Sequence, residues 1–181
     1  MAPACGAVDQ LFMSAVFRIR DWLRPPCRVL EESGLRPGMR VLDFGCGTGS
    51  YTVAAARIVG PAGEVLAVDA SPVATAMVRR RAARAELGNV RTILADRATG
   101  IPDASVDFAI LYDILHLLDD PATVLGDIRR VLTPCGRLTV SDHHMKGPAV
   151  VAAVAAGGRF ELVTEGRPGG KLAWLFAPSP A

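Results

Sequence analysis

The sequence predicts an α/β fold, a doubly wound sheet that is mostly parallel and carries an antiparallel hairpin strand near its carboxyl end. Three observations predict it. Short apolar runs alternate with helical segments from Arg40 onward, the pattern of a parallel sheet covered on both faces. The first of these runs passes directly into a helix through a glycine-rich turn, Gly45 to Gly49. The last two runs are separated only by Glu165 to Gly170, too short a link for a crossover and right for a hairpin.

Taken in order, the apolar residues Leu11, Phe12, Ala15, Val16, Ile19, Trp22 and Leu23 recur at intervals of three and four, one face of a helix. Pro25 and Pro26 end it, a second short helix fits Cys27 to Ser33, and Gly34 suits a left-handed cap. Residues 1–34 are therefore expected to form a helical cap on a single domain spanning 35–181. Strands follow over Arg40 to Phe44, Glu64 to Val68, Val90 to Ala95, Val106 to Tyr112 and Arg137 to Val140. Helices follow over Ser50 to Val59, from Ser71-Pro72 to about Leu87, over Pro121 to Leu132 and over Pro148 to Ala156. Pro134 to Gly136 reads as a turn. Arg159 to Thr164 and Lys171 to Ala177 are the hairpin strands. The five earlier strands are near-continuous apolar runs, as expected when both sheet faces are covered.

Composition excludes several classes. The chain has 181 residues, 50% hydrophobic, with a net charge of +2 and 6% aromatics. That charge is too small for a nucleic-acid binder, and no stacking platform is written into it. Cys5, Cys27, Cys46 and Cys135 form no C-x-x-C pair, so neither a zinc knuckle nor a redox dithiol is expected. No apolar stretch reaches the ~20 residues of a membrane helix, and the amino-terminal residues do not read as a secretory signal. A cytoplasmic protein with reduced cysteines and no stable membrane insertion is the expectation.

In an open α/β sheet, ligands bind outside the carboxyl ends of the strands. The residues placed there are Asp43 to Gly49, Asp69, Asp96, Tyr112-Asp113 and Ser141 to His144. Asp69 ends the second strand about 20 residues beyond the glycine loop, where an acid accepts from ribose hydroxyls; the ligand is a nucleoside. The dinucleotide pattern G-x-G-x-x-G is not met, because Ser50 stands at the third glycine. Asp43 would repel a pyrophosphate and suits a cation such as an amino group or a sulfonium.

Val41-Leu-Asp-Phe-Gly-Cys-Gly-Thr-Gly49 resembles the first motif of the class I S-adenosylmethionine-dependent methyltransferases. Ala67-Val-Asp69, Leu94-Ala-Asp96, Phe108 to Leu118 and Leu132 to Val140 follow in that family's order. The resemblance runs from about Leu30 to the carboxyl end, and Tyr112-Asp-Ile-Leu-His116 is most similar to the small-molecule branch that includes quinone-biosynthesis methyltransferases. It implies a Rossmann-like fold, S-adenosyl-L-methionine as cofactor, S-adenosyl-L-homocysteine as product, and a small-molecule methyl acceptor. It implies that Asp43 orients the loop or reaches the methionine amino group through water, and that Gly45, Cys46 and Gly47 line the methionine part. By the same resemblance Asp69 holds the ribose diol, Ala70 lies near adenine, Asp96 accepts from the adenine amino group with Arg97 beside it, and Tyr112 lies against the methionine end. Cys135 departs from the family's Pro-Gly-Gly turn.

Methyl transfer asks the protein mainly to align reactants. A base is needed only when the accepting atom holds a proton it will not lose unaided. Asp113 and His116 are the candidates, with His143 and His144 nearby. His116 packed under its loop is an equally good reading. His143-His144 with Asp142 is a poor metal site, since adjacent side chains on an extended segment point to opposite faces. The rivals are a cofactor-binding protein without transfer activity, an aminopropyl transferase and an NAD(P)-dependent oxidoreductase. The oligomeric state is open.

Overall fold

The computed structural model describes residues 26–180; the expected helix from Gln10 to Leu23 and most of the expected helical cap lie outside them. The elements are α1 (Pro26–Glu32), β1 (Arg40–Phe44), α2 (Ser50–Val59), β2 (Glu64–Asp69), α3 (Pro72–Arg84), β3 (Val90–Leu94) and β4 (Val106–Tyr112). A 3-10 turn at Leu115–Leu117 leads to α4 (Pro121–Val131), β5 (Leu132–Ser141), α5 (Gly147–Ala155), β6 (Phe160–Gly166) and β7 (Ala173–Pro178). Seven strands form one sheet in the order β3-β2-β1-β4-β5-β7-β6. β7 inserts between β5 and β6 and runs antiparallel to both. The pairs among β1 to β5 are parallel. The predicted fold class is the observed one.

Side-chain parity along the strands builds two cores, because successive residues face opposite sides of a sheet. Leu42, Leu66, Ala109, Leu111, Leu138 and Val140 pack beneath α4 and α5, against Leu125, Ile128, Val150 and Val154. Val41, Val65, Phe108, Ile110 and Tyr112 pack on the other face, with Val29 and Leu30 of α1 and Ala55 and Val59 of α2. The same parity decides the site. Asp43 shares a face with Val41, and Phe44 turns to the opposite face.

Helix starts follow their local chemistry. Ser71 accepts from the Ala74 N–H and Asp120 from the Thr123 N–H, each just before a proline, which suits the first helical turn. Gly34 is left-handed after α1, at φ 101°.

Two expectations fail. Pro134 to Gly136 is not a separate turn, since β5 begins at Leu132, immediately after α4. Val106 pairs with Leu132 and Phe108 with Arg137, so the residues between are looped out of the ladder as a bulge. A proline is tolerated there because no ladder hydrogen bond is asked of it. β3 is not buried on both faces: all five of its residues are partly or fully exposed, because it is an edge strand with β2 as its single neighbour.

Candidate functional site

The glycine loop is tied to the end of β2. The Gly45 and Cys46 N–H groups both donate to the Val68 carbonyl, at 2.8 and 3.0 Å. The Gly47 N–H donates to Asp69 Oδ2 and the Ser71 N–H to Asp69 Oδ1, each at 2.9 Å. Asp69 thus braces the loop and the entry of α3 together, a structural task alongside any ligand contact. Two glycines are fixed by sterics. At Gly45, φ is +74° and a Cβ would lie 2.8 Å from Ile114 Cγ1. At Gly49, φ is +81° and a Cβ would lie 2.9 Å from Val78 Cγ2, where α3 crosses the loop. The close helix approach that a dinucleotide loop obtains at its third glycine is met here at Gly49, with Ser50 opening α2.

Beneath the loop lies a cleft of about 230 Å³ lined by Gly45, Asp69, Ala70, Asp96, Arg97 and Ile114, among others. Five residues singled out from the sequence therefore meet in one concavity at the carboxyl edge of β1 to β3. Asp96 and Arg97 are exposed and only 3.9 Å apart, a solvated pair of little energetic weight. Larger hollows of about 580 and 660 Å³ sit near the amino ends of the strands, around Gly60-Asn89 and Met39-Arg137. They hold none of the residues the sequence placed at a ligand site, and the carboxyl edge is where such sheets bind ligands.

Of the expected cofactor residues, Asp43, Cys46, Gly47 and Tyr112 do not line that cleft. Asp43 is 4% exposed, with Oδ2 accepting from the Thr52 hydroxyl of α2 at 2.5 Å. Burial pushes its carboxyl up to about 6 against the lowering effect of Thr52, and the charge of Asp69 adds to the rise. A buried carboxylate in this position favours a cationic neighbour. Tyr112 is buried with its hydroxyl 2.9 Å from Thr139 Oγ1. Its ring meets Tyr51 edge to face at 4.7 Å. Burial pushes the phenol up to about 12. Cys46 is buried, and burial together with Asp43 and Asp69 drives its thiol well above the usual range, against any nucleophilic role.

A second constellation stands past the ends of β4 and β5. Asp142, with a fully buried side chain, accepts from His116 Nδ1 at 2.8 Å and from the backbone N–H groups of His116 and His144. Burial raises its carboxyl, but these hydrogen bonds outweigh burial and hold it below the usual range. Asp113, left-handed at φ 55°, accepts from His143 Nδ1 at 2.8 Å and from Lys171 Nζ at 2.9 Å. Burial works against it too, but His143 and Lys171 lower it. The expectation that His143 and His144 point to opposite faces is wrong. Their rings lie 3.9 Å apart, because residues 143 and 144 form a turn and are not extended. His116 is mostly packed, with 21% of its side-chain surface exposed, and its ring pairs with Asp142. Among the described residues, no group of three or more His, Cys, Asp or Glu side chains is arranged to hold a metal ion. No described helix is long and apolar enough to cross a membrane.

Sequence reasoning missed Thr52 as the partner of Asp43 and Lys171 as the partner of Asp113. Both pairings are long-range in the chain or cross between elements. It also missed Leu117, Leu118 and Val124 as cleft walls; their apolar character reads as core. Asp142 was marked by its place after a strand and weighed beside His143-His144, but not as the partner of His116.

The family described as a methyltransferase domain matches residues 35–165. A demethylmenaquinone methyltransferase of Staphylococcus aureus (strain Newman) is 35% identical over 111 residues, 60% of this chain and 45% of its own length. A SAM-dependent methyltransferase from Aquifex aeolicus shares the structure at a TM-score of 0.79, with 25% identity over 89% of this chain and 93% of that one. The [4+2]-cyclase SpnF shares the fold at a TM-score of 0.67, with 24% identity over 81% of this chain and 60% of that one. The chain spans less than half the length of the curated relatives it matches. With the glycine loop, the acids at the strand ends and this match over most of its length, the chain belongs to the methyltransferase-domain family, of the class I S-adenosylmethionine-dependent type.

Proposed function

We propose that the protein binds S-adenosylmethionine and transfers its methyl group to a small-molecule acceptor. The observation that carries this reading is the cleft that gathers Gly45, Asp69, Ala70, Asp96 and Arg97 under the glycine loop. The residues fit the cofactor's chemistry. Asp69 retains acceptor capacity beyond its two backbone N–H contacts and would take the ribose diol. Asp96, exposed at the rim, would accept from the adenine amino group, with Ala70 and Arg97 flanking the base. The loop from Gly45 to Gly47 would line the methionine part. Asp43, raised to about 6 by burial, favours positive charge on that side, which suits an ammonium or sulfonium and disfavours a pyrophosphate. Tyr112, buried against Tyr51 and Thr139, would support the loop side of the site from behind. The bound cofactor supplies a methyl group already activated on sulfur, so the chain's task is alignment and water exclusion.

Calorimetry with S-adenosylhomocysteine tests the reading. The wild-type chain is expected to bind it, and Asp69→Ala to weaken binding by roughly tenfold to a hundredfold, the value of hydrogen bonds to a charged group. No binding by the wild-type chain refutes it. The same fold carries a cyclase, so fold alone does not establish transfer. Transfer of a labelled methyl group from S-adenosylmethionine to a component of a metabolite extract separates an enzyme from a protein that only binds the cofactor.

A further inference from the structure

A cavity of about 370 Å³ lies in the seam between α2 and α3, with Pro26 of α1 at its edge. The helical period builds it. On α2, Ser50, Val53, Ala54 and Arg57 recur at intervals of three and four; on α3 and its cap, Arg81, Arg84 and Ala85 do the same. Each set shares one face of its helix. Where the two faces meet, the small apolar side chains make a floor and the arginines a rim. Arg57 and Arg84 are exposed, and Arg81 is partly buried. This cavity and the cleft beneath the glycine loop have no lining residue in common.

The charge in this seam is one-sided. A guanidinium stays protonated in a protein. Among the described residues, no carboxylate lines the cavity, and none forms an ion pair with Arg57, Arg81 or Arg84. Glu86 shares only the neighbouring hollow, with Arg57. Arg81 gives a single hydrogen bond, to Ser50 Oγ at 3.4 Å. Arg79, by contrast, leaves the seam and donates to Thr92 on β3. A solvated helix face spreads its charges, but here two helices turn three of theirs toward one concavity. Like charges so placed repel, and a multiply charged anion relieves them. One carboxylate would answer one guanidinium. A phosphate monoester carries close to two charges at neutral pH, and its oxygens meet guanidinium groups in bidentate pairs. The apolar floor suits an organic substituent on that phosphate, and the cavity is of the size that small molecules occupy. A nucleic-acid backbone asks instead for a basic strip along a surface.

We propose that the seam between α2 and α3 is a second ligand site, separate from the cofactor cleft, and that it takes a small organic phosphate. The phosphate sits among Arg57, Arg81 and Arg84, and its apolar part lies over Val53, Ala54 and Ala85. The site stands independently of the methyl-transfer reading, since it uses none of the cleft residues.

Calorimetry of the full chain at fixed ionic strength tests it with phenyl phosphate as the probe, beside inorganic phosphate, benzoate and a short single-stranded RNA. Phenyl phosphate is expected to bind more tightly than the other three. The double variant Arg57→Gln, Arg84→Gln alters two exposed side chains that carry no ion pair, so the fold should persist. It is expected to weaken phenyl phosphate by ~10-fold or more. Arg80→Gln, exposed on α3 but outside the cavity, is expected to change binding by less than about twofold. No binding of phenyl phosphate overturns the proposal, and so does equal weakening by Arg80→Gln, which would mark a diffuse attraction to basic surface. Inorganic phosphate binding as tightly as phenyl phosphate overturns the organic class, and RNA binding tighter than either overturns the small-molecule class. Displacement of phenyl phosphate by S-adenosylhomocysteine, or its loss in Asp69→Ala, would put the phosphate in the cofactor cleft and overturn the second site.

Discussion

Replacing Asp43 by asparagine should change how the stability of the ligand-free protein depends on pH. The carboxyl is raised from 3.8 to about 6, chiefly by burial. A group whose folded-state value lies above its unfolded value binds more protons folded than unfolded across that window, so stability falls as pH rises through it. The shift of about two units corresponds to a cost of about 3 kcal/mol above pH 7, about half of that at pH 5 and almost nothing at pH 3. Asparagine keeps an oxygen for the Thr52 hydroxyl but buries an amide with two donors, a cost that does not vary with pH. The pH-dependent part is therefore the clean quantity. Urea unfolding at pH 5, 6, 7 and 8 is expected to show the variant gaining on the wild type by between 1 and 2 kcal/mol across the range, about tenfold in the folding constant. A gap that stays constant, or that moves in favour of the wild type as pH rises, refutes the assignment of Asp43 as a buried and uncompensated acid. If a cationic ligand group sits near it, Asp43→Asn is also expected to weaken S-adenosylhomocysteine binding at pH 8 by calorimetry, even where it does not lower stability.

Gly45→Ala is expected to destabilise by about 1–3 kcal/mol in urea unfolding, from a left-handed backbone and a Cβ 2.8 Å from Ile114; a loss below the error of the measurement would mean the loop relaxes freely. Asp127 accepts from the Thr99 N–H and hydroxyl and from Arg130, so Asp127→Ala should cost about 2 kcal/mol by leaving a buried threonine N–H without its acceptor. Asp127 is held below the usual carboxylate range: burial raises it, but Thr99 and Arg130 outweigh that. Its contribution is therefore present near neutral pH and lost as acid protonates the carboxyl, and the destabilisation by Asp127→Ala should shrink accordingly in acid. Leu162→Lys and Val163→Lys on the exposed face and edge of β6 should change stability by no more than about 0.5 kcal/mol. A larger loss would show that β6 is covered in solution.

Most of the fold was legible because it is written in local pattern. β1 reads as a strand from five residues, Arg40 to Phe44, and the loop after it from its glycines. The hairpin of β6 and β7 follows from the shortness of the link between them. The insertion of β7 between β5 and β6 was not legible. It depends on which strand finds the exposed edge of β5, a choice made by packing Trp174 and Phe176 into the core. The bulge in β5 was misread as a turn for a similar reason. Pro134 and Gly136 carry the same signal in either setting, and the β4 ladder decides between them. At the site, the alternation of acids at strand ends marked Asp69 and Asp96. It did not show that each Asp69 oxygen also accepts from a backbone N–H group.

By itself the sequence determined the sheet, the glycine loop and the edge at which a ligand belongs, since periodicity, turn chemistry and strand polarity are properties of short segments. Tertiary structure alone decided which acids face the cleft and which are buried behind it. Asp43 and Phe44 are neighbours in the chain, yet the pleat sends one under α2 and the other into the core beneath α4. It also decided the partners of the histidines. His116 and Asp142 are 26 residues apart and meet because β4 and β5 are adjacent and parallel, so that their carboxyl ends, and whatever follows each, arrive at the same place.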